Sequence, residues 1–239
     1  MTKLLLLLFS GAKFTKIASS GGSMLLSLAA YATIWGWKFA AGFVTLLFCH
    51  EMGHYLAARE RKLPVTLPFF IPFLGAAIKM KETPESVDTE AYVALAGPVA
   101  GSIAAFITYF AGRYYGSNLL LAVSYSGFLL NLCNLLPVSP LDGGRITAAL
   151  SPRVWLVGAP IMAAAFYYMP SPVLLIIAIA AVPHLVKAWN YNPALPENRI
   201  YYAIPMAARF QYGASYLGLV ALLGIMAYEV HGMLSHLRS

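Results

Sequence analysis

FCHEMGH, at residues 48–54, contains the pattern His-Glu-x-x-His within an apolar run from Phe43 to Ala58. The run predicts a helix, and residues four positions apart on a helix share a face, so His50 and His54 can direct two imidazoles at one metal ion. Glu51 then lies beside that ion, where a carboxylate can act as a general acid and base. The pattern predicts a hydrolytic metal site that still needs a third ligand.

The composition is typical of a membrane protein. Hydrophobic residues occupy 60% of the 239 positions, charged residues only 10%, and the mean hydropathy is +0.71. Apolar stretches of about 20 residues, the length of a bilayer-spanning helix, recur along the chain. The net charge of +7 comes from basic residues scattered between these stretches, unlike the clustered basic surface of a nucleic-acid-binding protein. We therefore expect a protein embedded in the lipid bilayer that binds no nucleic acid.

The apolar stretches predict an all-α polytopic membrane protein with six to seven transmembrane helices. The predicted spans are residues 23–37, 38–58, 90–114, 119–136, 154–169, 173–189 and 214–234. After the second span, prolines and a glycine interrupt the apolar segment 64–81, which predicts a re-entrant or β-hairpin segment. We expect one domain over residues 1–239, with an interfacial segment at 1–22, a membrane core at 23–189, and a connection and last span at 190–239.

Charge placement predicts the orientation of these spans. If the second span ends in the cytoplasm, thirteen of the sixteen Lys and Arg residues fall on the cytoplasmic side, and only Lys38, Arg113 and Arg238 fall outside. This asymmetry is the positive-inside bias of membrane proteins. The second and fourth spans then both end inside, which brings the His pair and Asp142 to a similar depth on the cytoplasmic side.

Asp142 is the favoured third ligand. A carboxylate next to the membrane interior needs a partner, and a zinc ion would supply one. The alternative is a carboxylate that caps the next helix. Glu60 lies too close to the His pair on the same helix, and the acidic residues at 82–90 are most simply solvated. We interpret His184 as a hydrogen-bonded helix residue.

Three segments together resemble the site-2 protease family of intramembrane zinc metalloproteases: HEMGH at 50–54, AGP at 96–98 and NLLPVSPLDGG at 134–144. The resemblance implies that His50, His54 and Asp142 bind one zinc ion and that Glu51 is the catalytic acid and base. It implies that Asn134 orients the substrate or stabilises an oxyanion. We expect a compact member of the family, without the added peptide-binding or nucleotide-sensing domain of larger members.

The resemblance further implies regulated cleavage of a transmembrane protein substrate, within or beside its own transmembrane helix. We expect a multi-pass protein of the cell membrane, with the active site toward the cytoplasm. The sequence indicates neither the substrate nor an oligomeric state.

Other interpretations remain open at the level of sequence. The chain could be a non-catalytic protein that binds membrane helices or zinc. A zinc transporter is less favoured, because it would need ligands at several depths along a path. Residues 64–81 could gate the site, plug it, or bind an unwound substrate by strand pairing. The small residues at 97–101 favour close helix packing, and a direct role in the site is the less favoured alternative.

Overall fold

The computed structural model of the chain describes residues 20–80, 82, 84–168 and 170–236. The helices are α1 (Ser20–Trp35), α2 (Trp37–Glu60), α3 (Val87–Tyr114), α4 (Asn118–Asn134), α5 (Asp142–Ala148), α6 (Trp155–Tyr168), α7 (Pro172–Trp189), α8 (Pro196–Tyr201) and α9 (Met206–Ser235). Two strands, β1 (Phe69–Ile71) and β2 (Gly75–Ala77), lie between α2 and α3. The fold is therefore mostly helical. Nearly all of the predicted interfacial segment falls on residues 1–19, outside the described part of the chain.

Among the helices that the structure describes, three are long and apolar enough to cross a membrane, namely α3, α7 and α9. They support the prediction of a membrane protein. The other predicted spans coincide with helices that are shorter or more polar. Helices α1, α4 and α6 have 16, 17 and 14 residues, and α2, with 24, carries the polar side chains of HEMGH. The count of six to seven crossings stays a prediction.

A β-hairpin occupies the interrupted segment after α2. Strands β1 and β2 pair antiparallel, with Phe69 opposite Ala77 and Ile71 opposite Gly75. Phe73 of the connecting turn has a positive φ angle of 66°, and Gly75, the first residue of β2, has one of 110°. The backbone N–H of Phe70 donates to Ser23 Oγ of α1 at 3.0 Å. This bond fixes the hairpin beside α1, and a re-entrant position of the hairpin in the bilayer stays a prediction.

The last helix packs into the same core as the helices that carry the sequence motifs. Val87 of α3, Phe128 of α4, Ile146 of α5 and Leu223 of α9 belong to one cluster of buried apolar side chains, each at most 1% exposed. Residues beyond 190 therefore help to hold the central helices in place.

A tight turn joins α4 to α5 and requires two glycines. A Cβ atom on Gly143 would lie 2.2 Å from the carbonyl oxygen of Leu135, and one on Gly144 would lie 2.2 Å from the nitrogen of Ser139. Any larger residue would push α5 away from the end of α4. The indole N–H of Trp155 donates to the Gly144 carbonyl at 2.7 Å and closes the turn from the other side.

Helix α9 holds both ends of the segment that contains α5. The hydroxyl of Tyr216 donates to the carbonyl of Leu135 at 2.7 Å. The guanidinium of Arg209 donates to the carbonyls of Ala149 and Leu150 at 2.8 and 2.7 Å. The final carbonyls of a helix have no partner within it, so the arginine satisfies groups that α5 leaves unpaired. Asp142, the first residue of α5, is thereby held at a fixed position.

Candidate metal centre

Two histidines of α2 and the first residue of α5 meet in the interior of the protein. His50 Nε2 and His54 Nε2 lie 3.1 Å apart, and each lies 3.2 Å from Asp142 Oδ2. The three residues are only 2%, 6% and 7% exposed. Within the described ranges, no other group of three or more His, Cys, Asp or Glu side chains comes close enough to hold one ion. The structure thus brings together all three sequence-predicted ligands.

The hydrogen bonds behind the two rings determine which ring nitrogens carry hydrogen. His54 Nδ1 lies 2.8 Å from the carbonyl oxygen of Val93, which can only accept, so Nδ1 is the donor. Asn131 donates its Nδ2 to the carbonyl of Gly127 at 2.7 Å, which turns its Oδ1 toward His50 Nδ1 at 2.8 Å. His50 Nδ1 is therefore also a donor. In the neutral rings, both Nε2 atoms are left with lone pairs that face Asp142.

This arrangement of donor atoms fits a zinc ion. Two imidazole nitrogens and a carboxylate oxygen that face one another repel unless a cation lies between them. Zinc forms bonds of about 2.0–2.1 Å in tetrahedral geometry, which places its ligand atoms about 3.3 Å apart. The observed separations of 3.1 and 3.2 Å agree with that spacing. Three protein ligands leave a fourth position open, as in catalytic zinc sites.

Glu51 and Asn134 border the same space as the three ligands. They line a cavity of about 150 Å³, the metal cavity, together with the ligands and residues 76–78 around the end of β2. Glu51 is 6% exposed. Asn134 Nδ2 donates to the carbonyl of Leu130 at 3.0 Å, and an amide nitrogen carries a second hydrogen. Both residues are thus positioned to act on a group bound in the metal cavity.

An ion pair and a tyrosine stand beside this cavity. Arg145 lines the metal cavity, and its Nε lies 3.9 Å from Glu90 Oε1. The hydroxyl of Tyr201 donates to the other oxygen of Glu90. Burial of Tyr201, together with the adjacent Glu90 carboxylate, raises the pKa of the phenol, which therefore remains a hydrogen-bond donor at physiological pH. Helix α8 is in this way linked to the edge of the metal cavity.

The rival ligands considered from sequence have other partners. Glu60 accepts from the hydroxyl of Tyr92 at 2.8 Å, and Asp88 pairs with Arg61 at 3.1 Å. The ring of His184 packs edge-on against that of Trp155, where we had expected a hydrogen-bonded residue. None of these side chains reaches the metal cavity.

The alternative role of Asp142 as a helix cap is not what the structure shows. Asp142 is the first residue within α5, and Leu141 occupies the N-cap position. Its Oδ2 atom lies at equal distance from both histidines.

Comparison with known proteins agrees with this geometry. The model of peptidase family M50 matches residues 38–126. Zinc metalloprotease MJ0392 of Methanocaldococcus jannaschii is 28% identical over 130 residues, which cover 52% of this chain and 37% of that protein. The probable chloroplastic zinc metalloprotease EGY1 of Oryza sativa subsp. japonica is 33% identical over 84 residues, 33% of this chain and 14% of that protein. Residues 38–126 are thus similar to peptidase family M50, the site-2 proteases.

The similarity to zinc metalloproteases and the donor set of the site together indicate zinc as the cofactor. The relatives are named zinc metalloproteases, and the buried His-His-Asp group could bind that metal. The matched segments span 37% or less of these relatives, so their names do not describe the whole of this chain. The match to the family model includes the histidine pair but ends before Asp142, whose place beside them is shown by the geometry.

Gly97 was interpreted from sequence as a packing residue. The structure shows that its lack of a side chain makes room for the His54 ring. A Cβ atom at Gly97 would lie 2.2 Å from His54 Nε2, the atom that faces the metal position. Across the same contact between α2 and α3, a Cβ atom at Gly53 would lie 2.3 Å from the carbonyl oxygen of Ala96. The missing side chains give the His54 ring the space in which it can bind zinc.

Asn131 supports the site but was not predicted from the sequence. It is fully buried, and a Cβ atom at Gly101 of α3 would lie 2.3 Å from its Oδ1. By accepting from His50 Nδ1, it orients the ring and fixes the hydrogen on the nitrogen away from the metal position. The signal in the sequence was an amide in the middle of an apolar span, where a polar side chain is costly and needs a partner.

Replacement of Gly97 by Ala is expected to lower zinc affinity by about 10- to 100-fold, the range seen when groups that support a metal ligand are disturbed. The new methyl group would force the His54 ring out of the position that its bond to Val93 now fixes. Competition with a chromogenic chelator would measure the change. Gly224→Ala is the matched control, because nothing lies within 4 Å of a Cβ at that position in α9. Equal zinc affinity in the two variants would contradict this role of Gly97.

Replacement of Asn131 by Leu is also expected to weaken zinc binding by about 10-fold or more, because His50 Nδ1 would lose its acceptor. Chelator competition on the variant would show the loss. Ser124→Ala, at another fully buried polar position of α4, is the control, since its hydroxyl bonds only to its own helix. Unchanged affinity in Asn131→Leu would show that the ring needs no support from the amide.

Proposed function

We propose that this chain is an intramembrane zinc metalloprotease, which hydrolyses peptide bonds within or next to the transmembrane helices of membrane protein substrates. The observation that carries the proposal is the buried His50–His54–Asp142 group with Glu51 in the same cavity. Similarity to peptidase family M50 and to a zinc metalloprotease supports the metalloprotease activity. The apolar helices around the site support an action inside the membrane.

Each residue of the site has a distinct role in this proposal. Zinc held by the three ligands would supply Lewis acidity, which lowers the pKa of water and polarises a carbonyl. Glu51 takes a proton from the attacking water and later gives that proton to the leaving amine, so it ends the cycle ionised as it began. The amide of Asn134 donates a hydrogen bond to the oxygen on which negative charge develops.

A transmembrane substrate must be unwound before it can react. In a helix, the peptide groups are bonded within the segment and are not free to enter a site, so residues that weaken a helix, such as Gly, Pro and Asn, are expected near the cut. Ala76 and Ala77 of β2 line the metal cavity, so an extended substrate segment bound there would lie beside this strand. The role of residues 64–81 as gate, plug or strand partner stays a prediction.

We further propose a multi-pass position in the cell membrane, with the site open toward the cytoplasm, and a role in regulated intramembrane proteolysis. The support for the orientation is the concentration of basic residues on one side of the predicted spans. Arg59, Arg61 and Lys62 follow the two histidines at the end of α2, which supports a site near this side.

Glu51→Gln is expected to retain one zinc per chain. Its cleavage rate should fall at least about 100-fold, because the amide cannot transfer the proton. The measurement uses purified protein in lipid nanodiscs, with single-span test helices that contain Gly or Pro, and mass spectrometry of the fragments. Glu229→Gln, an exposed position on α9, is the matched control. Wild-type turnover by Glu51→Gln would refute the catalytic role. A wild-type protein that binds zinc and the test helices but does not cleave them would favour the non-catalytic interpretation.

A further inference from the structure

A second cavity adjoins the metal cavity and shares a wall with it. We propose that this side cavity is a subsite that binds one aliphatic side chain of the substrate next to the bond that is cut. The inference rests on the proposed protease function. The side cavity has a volume of about 180 Å³. The wall that the two cavities share consists of His50, Glu51, Ala76, Asn134 and Leu141.

The shared wall determines which side chain of the substrate can enter the side cavity. Glu51 and the ligand His50 face both cavities, so a carbonyl held at the metal position lies within one residue of the side cavity. In an extended segment, successive side chains point to opposite sides. The side cavity can therefore take a side chain that adjoins the scissile bond, while the next one along points away.

The remainder of the side cavity is formed by apolar side chains. On α7, Val173, Leu174 and Ile177 line it and are half-buried, whereas Leu175 and Ile176 face outward and are 48% and 50% exposed. Leu47 of α2, the hairpin turn and the end of α4 supply the other walls, which are mostly leucines. No Lys or Arg from the described part of the chain lines the side cavity.

Size and polarity together select the class of side chain. An apolar cavity of about 150 Å³ is large enough for a benzene molecule, so a slightly larger one holds a single Leu, Ile, Val or Met side chain. Burial of a charged side chain without a partner is strongly unfavourable. An acidic side chain would in addition meet Glu51. The preferred substrate is therefore a membrane segment with a Leu, Ile, Val or Met residue beside the cut.

This preference is a property of the chain's own sequence. The wall formed by α7 (Pro172–Trp189) lies outside residues 38–126, the part that matches the family model. Substitutions on α7 can therefore alter the side cavity without touching the metal ligands or Glu51.

Binding of short succinic hydroxamates to the zinc-loaded full chain in nanodiscs tests the subsite without a known substrate. The hydroxamate group binds zinc, and the probes differ in one substituent: hydrogen, isobutyl or carboxymethyl. Isothermal titration calorimetry is expected to show the isobutyl probe binding about 10- to 100-fold more tightly than the hydrogen probe, as burial of a leucine side chain predicts. Its heat-capacity change should be more negative, the marker of apolar burial. The carboxymethyl probe should bind no better than the hydrogen probe.

Leu174→Trp provides the decisive variant, because the larger ring fills the side cavity. It should abolish the advantage of the isobutyl probe and leave zinc content and the affinity of the hydrogen probe unchanged. Leu175→Trp, on the outward face of the same helix, is the control and should keep the advantage.

The outcomes separate the subsite from the proposed function. Zinc-dependent binding of the hydrogen probe without a gain from isobutyl would overturn the subsite and leave the metalloprotease proposal standing. An equal loss of that gain in the two Trp variants would also overturn it. Absence of zinc-dependent binding by every probe would overturn the proposed function and the subsite together.

Discussion

Two imidazole nitrogens and a carboxylate oxygen face one another in the protein interior at 3.1–3.2 Å. Both rings use Nδ1 as a donor to groups behind them, so neutral rings have no hydrogen to place between the three atoms. Three acceptors at this separation are repulsive without a cation, and their buried position removes the water that would screen them. The rest of the structure serves to hold this otherwise unfavourable arrangement together until zinc binds.

Two kinds of contact provide that support. Close helix packing gives the rings their space, since α3 has no side chain at Gly97 and Gly101, where a Cβ atom would collide with His54 and with Asn131. Long-range hydrogen bonds hold the carboxylate, because Arg209 and Tyr216 of α9 bind the carbonyls at the two ends of the α5 segment. The metal centre thus depends on elements from the second helix to the last.

The parts predicted from sequence are those encoded by local patterns. The spacing within HEMGH predicts that His50 and His54 share a helix face. The NLLPVSPLDGG segment and its expected depth in the membrane predict Asp142 as the third ligand. Asn131 and Arg209 were not found, because nothing in their local sequence shows that their partners lie 81 and about 60 residues away. The hairpin segment was expected from its prolines, yet its register depends on contacts with α1. The predicted spans that fall on short or polar helices stay predictions, since length and composition identify three helices of the described residues that could cross a membrane.

The most direct measurement is the zinc content per purified chain in the wild type and in Asp142→Ala, by metal analysis of protein whose helical content has been checked. Because Asp142 is the one ligand that comes from α5, its removal leaves the histidine pair intact but opens the site. A three-ligand site predicts about one zinc per wild-type chain and a sharp reduction in the variant. A well-folded wild type that holds no zinc after resupply, or a variant that retains it fully, would contradict the three-ligand site.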